Sequence, residues 1–334
     1  MSVVRQEYAV TFVGTERAEL VPTERDPTPL DAREVEGSTL ATLVSAGTEL
    51  ASYRGAEFPR TPGYAAVFEV ERTGGEAADL RPGDVVFCMG PHRSFQRAAR
   101  ENVIRVPAGL SATDATFARL MGVTMSTLTT TVARPPATVV VMGLGLVGLL
   151  AARTFATCGY DVIGCDPDAG RREIALRAGV SRVEPAVPLD DPTVAGRAAL
   201  VLECSGHEQA VLDGCRVAAR RGEVVLVGTP WTRRTELYMH ELTHAIFHRY
   251  VVVRSGWEWE LPLHAEDFRA NSVYGNIEAA LRWLAEGRVR VDGLAELVPP
   301  SEAQDAYQRQ MRNRNERLAV VFAWTTPQSG SSRA

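Results

Sequence analysis

An uninterrupted apolar run, Thr138–Met142, leads into Gly143-Leu144-Gly145-Leu146-Val147-Gly148, and the apolar-periodic stretch Leu146–Cys158 opens within that motif. The G-x-G-x-x-G spacing is common by chance, but between a buried strand and a helix it demands one kind of turn. Gly143 permits the tight turn, Gly145 leaves the backbone open to a pyrophosphate, and Gly148 lets the helix lie close on the sheet. The start of that helix then offers free N–H groups and the positive end of its dipole to the phosphates, with Leu146 and Val147 in its first turn. Beyond it the periodicity alternates: strand Asp161–Cys165, helix Gly170–Ala178, strand Ala199–Glu203, helix Glu208–Ala219, strand Glu223–Val227, then Tyr250–Arg254 as a closing strand. Such alternation predicts a doubly wound parallel sheet. Asp166 lies 23 residues after Gly143. A carboxylate there accepts hydrogen bonds from both ribose hydroxyls and repels a 2′-phosphate, which favours NAD over NADP. Arg171 and Arg172 follow closely and are the side chains able to grip such a phosphate.

The first 125 residues read differently. Tyr8–Val13, Ser38–Leu43, Ala65–Arg72 and Asp84–Met89 are short β-type stretches separated by punctuation such as Pro27-Thr28-Pro29, Thr61-Pro62-Gly63 and Arg81-Pro82-Gly83-Asp84. They fit a small barrel or sandwich. After the nucleotide fold come a helix over Ile277–Glu286, a helix from Ser301 with Ser301 as its N-cap, a strand over Leu318–Trp324, and a Ser/Gly-rich tail. A chain of 334 residues is long for one core, so two domains are expected. The net charge of -5 leaves no broad basic field for nucleic acid, and no run of about 18 apolar residues suggests a membrane span. Met1–Glu7 lacks the apolar core of a secretory signal. Five cysteines without a Cys-x-x-Cys pair argue for a reduced cytoplasm rather than a disulfide framework. The sequence contains no lysine, so Schiff-base chemistry and a P-loop lysine are excluded. All fixed cations being arginine suggests a GC-rich bacterial genome, and with it a place in secondary or specialised metabolism.

Several segments resemble the medium-chain dehydrogenase/reductase superfamily. Ala46-Gly47-Thr48-Glu49 is similar to its C-G-T-D segment, Gly63-Tyr64-Ala65 to its G-H-E, and Arg81-Pro82-Gly83-Asp84-Val85-Val86 to its turn and strand. Ser126-Thr127 precede the nucleotide domain, and Val227-Gly228-Thr229-Pro230 end its fifth strand. Ser45–Glu49 followed by Pro62-Gly63-Tyr64 most resembles the subgroup containing bacteriochlorophyllide hydroxyethyl dehydrogenases. The resemblance implies a GroES-like, β-rich catalytic domain (1–127 and 259–326) around a Rossmann NAD-binding domain (128–258), with a disordered tail over 327–334. It places Thr127, Ser205, Gly206, Gly228 and Thr229 at the cofactor beside the glycine motif, Asp166 and Arg171. It also implies a homodimer joined through the edge strand Tyr250–Arg254.

The departures from the family carry as much information. Zinc members hold the metal with Cys, His, Glu and a later Cys, positions taken here by Ala46, Tyr64, Ala65 and Val123. The four-cysteine lobe is missing as well, so no metal is expected. His240-Glu241-Leu242-Thr243-His244 matches H-E-x-x-H, but it sits between two strands of the nucleotide fold and is read as a chance match. Without zinc, a hydroxyl or an imidazole must stabilise the alkoxide of a carbonyl–alcohol reaction. Thr48 matches the family's proton-relay hydroxyl, Tyr64 stands where a zinc ligand would be, and His92 lies near the cleft mouth. These three are the candidate catalytic residues, and His248 and Trp257 the candidate substrate contacts. The reading is an NAD(H)-dependent oxidoreductase interconverting a secondary alcohol and a ketone. A zinc-free enone or quinone reductase and a catalytically idle NAD-binding protein are the alternatives.

Overall fold

The computed structural model describes residues 6–269, 271–312 and 317–324; the tail 327–334 lies outside them. The chain divides into two compact units, Met1–Arg119 with Val291–Ala334, and Leu120–Arg290.

The second unit is built on a six-stranded sheet ordered Arg182–Glu184, Asp161–Cys165, Thr138–Met142, Ala198–Glu203, Ala218–Leu226, Val252–Ser255. Every pairing is parallel. The order reverses between Thr138–Met142 and Ala198–Glu203, and in such sheets ligands gather at the carboxyl ends beside that reversal. Apolar residues fill both sides of the strands because helices cover both faces. Val140, Met142, Ile163, Val201, Leu212 and Val224 share one buried cluster.

This unit reaches further along the chain than the expected boundary at residue 258. The helix Val273–Ala285 packs on the helix Ala118–Thr130: a methyl at Gly122 would lie 2.9 Å from Ile277 Cγ1, and Asn276 Nδ2 donates to Ser126 Oγ at 3.2 Å. Its amphipathic pattern does not reveal which core it faces. The closing strand also begins late. Tyr250 ends the helix Met239–Arg249 in a left-handed conformation with φ 56°, so pairing starts at Val252.

The first unit carries a hairpin, Glu7–Gly14 with Arg17–Thr23, and a seven-stranded sheet centred on Glu34–Leu43. The strand Arg17–Thr23 alternates polar and half-buried residues and shows no apolar run to betray it. Phe12 of the hairpin meets Tyr53 and Tyr307, the last two stacked, at centroid distances of 5.0–5.2 Å. Ser301 does not cap the last helix. It lies inside a 3₁₀ turn, Pro300–Glu302, and Ala303–Met311 follows. The short helix Ala46–Tyr53, which the sequence pattern did not announce, presents Thr48 and Glu49 in its first turn.

All five cysteines are free. Burial pushes the Cys88 and Cys165 thiols up to about 12 and the Cys215 thiol up to about 11. No helix among the described residues is long and apolar enough to cross a membrane.

Candidate active site and nucleotide site

The glycine turn has the shape its spacing implies. Gly143 adopts φ +87°, and a methyl there would press against Ser205 at 3.0 Å. One on Gly148 would overlap the carbonyl of Gly143, so helix and turn meet without room for a side chain. Gly145, by contrast, faces open space and caps the helix Leu146–Thr157. No side chain caps that helix and its first turn holds no acid, so its N–H groups remain for an anion.

Asp166 is buried and shapes the same turn. Its Oδ2 accepts the Leu144 N–H at 2.7 Å, its Oδ1 accepts the Asp168 N–H at 2.9 Å, and Arg171 stands 3.7 Å away. An ionised carboxylate has about four acceptor positions, so lone pairs remain for ribose hydroxyls. Arg172 turns inward, donating to the carbonyls of Asp166 and Pro167.

Ser205 and Gly206 are held by a carboxylate the sequence reading passed over. Glu203 accepts the Ser205 N–H at 2.7 Å, the Ser205 hydroxyl and the Gly206 N–H at 3.0 Å. Burial pushes this carboxyl up; the hydrogen bonds from Ser205 and Gly206 oppose that. An acid ending an otherwise apolar strand, just before Cys204-Ser205-Gly206, was the available signal. Gly228 closes on the same loop, since a methyl there would lie 2.9 Å from Ser205 N, and Thr229 backs Gly206. The buried Thr127 hydroxyl has no hydrogen-bond partner among the described residues. The open face at Gly145, the uncapped helix start and the spare acceptors of Asp166 fit a dinucleotide.

In the first unit, Thr48 and Tyr64 come together. The Tyr64 hydroxyl donates to Ser45 Oγ and lies 3.3 Å from Thr48 Oγ1. Over the Tyr64 ring stands the guanidinium of Arg119, Cζ 4.7 Å from the centroid, on a side chain only 3% exposed. Burial pushes the Tyr64 phenol up, away from neutrality; its hydrogen bonds with Ser45 and Thr48 and the Arg119 charge pull it partly back. Sequence reasoning gave neither Ser45 nor Arg119 a place in the site. The one visible trace of Arg119 is a cation embedded in the apolar stretch Phe117–Val123.

His92 does not lie at a cleft mouth. It is 0% exposed, its ring against the backbone of Gly63 and edge-on to Phe322 at 5.0 Å. Its Nε2 meets Glu49 Oε2 at 3.1 Å, and Glu49 also accepts the Tyr307 hydroxyl at 2.5 Å and the Ser45 N–H at 2.7 Å. The carboxylate fixes Nε2 as the donor, and Nδ1 makes no hydrogen bond among the described residues. Burial, then Glu49, push the Tyr307 phenol well up. His92 and Tyr307 thus anchor Glu49, which holds the start of the helix carrying Thr48. Trp257 is 66% exposed, and His248 is exposed on the outer face of the helix Met239–Arg249.

The donor set does not fit zinc. Ala46, Ala65 and Val123 carry no lone pair, and no group of three or more metal-binding side chains occurs among the described residues.

Residues 129–259 match the family of zinc-binding dehydrogenases. The chain is 34% identical over 93 residues to a 2-dehydro-3-deoxy-L-galactonate 5-dehydrogenase of Pseudoalteromonas atlantica, a stretch covering 26% of this chain and 27% of that enzyme. Galactitol-1-phosphate dehydrogenase from Escherichia coli superposes with a TM-score of 0.80 at 18% identity, over 95% of this chain and 99% of the other. Acetophenone reductase from Geotrichum candidum, in complex with NAD, superposes with a TM-score of 0.78 at 13% identity, over 97% and 98%. The fold is that of the medium-chain dehydrogenases. In this chain the glycine turn, Asp166 and Glu203 lie in the second unit, and Tyr64, Ser45, Thr48 and Arg119 cluster in the first.

Proposed function

We propose that this chain is a zinc-independent, NAD(H)-dependent oxidoreductase that interconverts a secondary alcohol and a ketone. The observation that carries the reading is the partly buried group of three hydroxyls, Tyr64, Ser45 and Thr48, beside the buried Arg119 guanidinium, where the family's metal ligands would stand. Bound nicotinamide supplies or removes the hydride. This chain's own residues manage the proton and the charge. In reduction the ketone oxygen accepts a hydrogen bond from the Tyr64 hydroxyl, which gives up its proton as the alkoxide forms. The phenolate left behind sits against Arg119, a cation over a ring whose electron density has risen. Ser45 and Thr48 relay a proton from solvent to the Tyr64 phenolate, each hydroxyl giving up one proton as it receives another, so that both end as they began. The phenol carries its proton at neutral pH and can donate it in ketone reduction; the oxidative direction, which needs the phenolate, strengthens as pH rises toward an ionisation that burial pushes up.

Asp166 supports NAD over NADP, because a second charge at the ribose would face its carboxylate. The unpaired outer edge of Val252–Ser255, with exposed Tyr250, Val252 and Trp257 nearby, supports a homodimer closed through that edge. A panel of secondary alcohols and ketones, read by NADH absorbance, tests the activity. Deuterium transferred from labelled NADH should appear on the carbinol carbon; deuterium on a carbon β to the carbonyl would make the enzyme an enone reductase instead.

A further inference from the structure

The helix Met239–Arg249 carries three of the six histidines of the chain, His240, His244 and His248, at a spacing of four residues. None takes part in the hydroxyl cluster or the glycine turn. The helix buries its other face: Ala245 is in the core of the nucleotide unit, and Leu242 and Ile246 pack against the same cluster. That packing fixes the helix and turns all three imidazoles to solvent. Residues four apart lie on one face, one turn above the other, which is the geometry by which two helical histidines share a metal ion.

Ring separations decide which pair is arranged for this. With metal–nitrogen bonds of about 2.0–2.1 Å, each ring centre stands about 3.2 Å from the ion, so cis imidazoles on one metal have centroids about 4.5–5.2 Å apart. His244 and His248 are 4.2 Å apart, within a few tenths of that range, whereas His240 and His244 are 6.1 Å apart. Glu241, the middle acid of the H-E-x-x-H pattern, reaches Arg216 at 3.3 Å. No third protein ligand joins the pair among the described residues, so water completes the coordination.

We propose that His244 and His248 form an exposed two-imidazole site for a divalent late transition metal, on the nucleotide unit and apart from the zinc positions of the family. Imidazole selects borderline ions, so copper(II), nickel(II) and zinc(II) bind in preference to magnesium or calcium. The site ties the last turn of the helix together just before the chain enters the edge strand Val252–Ser255. Metal bound there stabilises the folded chain, because only the folded helix holds both rings in place.

The test is calorimetric titration of nickel(II) chloride into untagged, chelator-treated protein, with thermal unfolding measured in parallel. One saturable site per chain and a raised Tm are expected, and magnesium chloride should give neither. His244→Ala and His248→Ala should each weaken binding at least about tenfold and remove the gain in Tm, while His240→Ala should change both by much less. All three side chains are exposed, so the variants keep the fold, and their unfolding curves without metal report this directly. Absence of saturable binding, or binding by the His244→Ala or the His248→Ala protein as tight as that of the unmodified chain, overturns the proposal. Neither outcome bears on the oxidoreductase reading, since no catalytic assay is involved.

Discussion

Replacing Tyr64 by phenylalanine removes one oxygen and keeps the ring, so it separates chemistry from packing. The ring still fills its place beneath Arg119. The losses are the hydrogen bond to Ser45 and the 3.3 Å contact to Thr48. At about 1 kcal/mol for each hydrogen bond, with the two remaining hydroxyls free to pair with each other, stability should fall by about 1–2 kcal/mol. Loss of a general acid costs about 10²–10⁴-fold in rate, or about 2.7–5.4 kcal/mol of barrier. The catalytic deficit should therefore exceed the structural one. With a ketone identified from the panel, kcat for Tyr64→Phe should drop by that factor while NADH affinity, read by fluorescence titration, stays unchanged, because Tyr64 belongs to the other unit. Thr48→Ala should lower kcat as well, and the double variant should lose less than the product of the two. The pH dependence has a definite sign. With the phenol pushed up, wild-type reduction should hold steady through neutrality and decline only as pH climbs through the Tyr64 ionisation, while oxidation rises over the same range. Near-native kcat in Tyr64→Phe, or an unchanged pH profile, would refute the acid–base role and leave Tyr64 as a ring that fills the metal's volume.

Arg119→Met should shift Tyr64 ionisation further upward, seen in the ¹³Cζ resonance that Tyr64→Phe deletes; an unmoved titration would mean that the guanidinium does not act on the phenol. Asp166→Ala should narrow the preference for NADH over NADPH in binding titrations, and should lower Tm because the Leu144 N–H loses its acceptor. If the unmodified protein prefers NADPH, Arg171 rather than Asp166 governs the ribose end. Gly148→Ala should abolish nucleotide binding or folding, since its methyl overlaps the Gly143 carbonyl; a variant with normal NADH affinity would contradict the close approach. Elemental analysis should find no zinc that survives in a His244→Ala, His248→Ala double variant, and zinc retained there at one per chain would restore a metal to the catalytic unit.

The nucleotide unit was legible because its rules are local. Thr138–Met142 and Asp161–Cys165 begin and end where the apolar runs do, and the glycine spacing between an apolar strand and an apolar helix requires the turn. What could not be read depends on partners distant in sequence. His92 is buried because Glu49, Gly63 and Phe322 close around it, and nothing within several residues of His92 signals that. Arg119 reads as one more solvated arginine until Tyr64, 55 residues earlier, is placed under it. The strand Arg182–Glu184 is three residues long, too short for any period to show. The unit boundary was misjudged for a related reason: Val273–Ala285 carries an apolar face, and a face does not name the core it will join.

Three of the five thiols, those of Cys88, Cys165 and Cys215, are closed to ordinary labelling chemistry in the folded chain. Cys165 and Cys215 lie in the nucleotide core with ionisation pushed up to about 12 and about 11. At neutral pH Cys165 is then overwhelmingly the thiol, and the thiolate is the form that reacts. Lysine, the usual alternative target, is absent from the sequence. A thiol reagent that does modify Cys165 has therefore caught the sheet open. The rate of that modification becomes a clock for opening of the nucleotide unit, readable by mass spectrometry at single residues, and bound dinucleotide should slow it in proportion to the stability it adds.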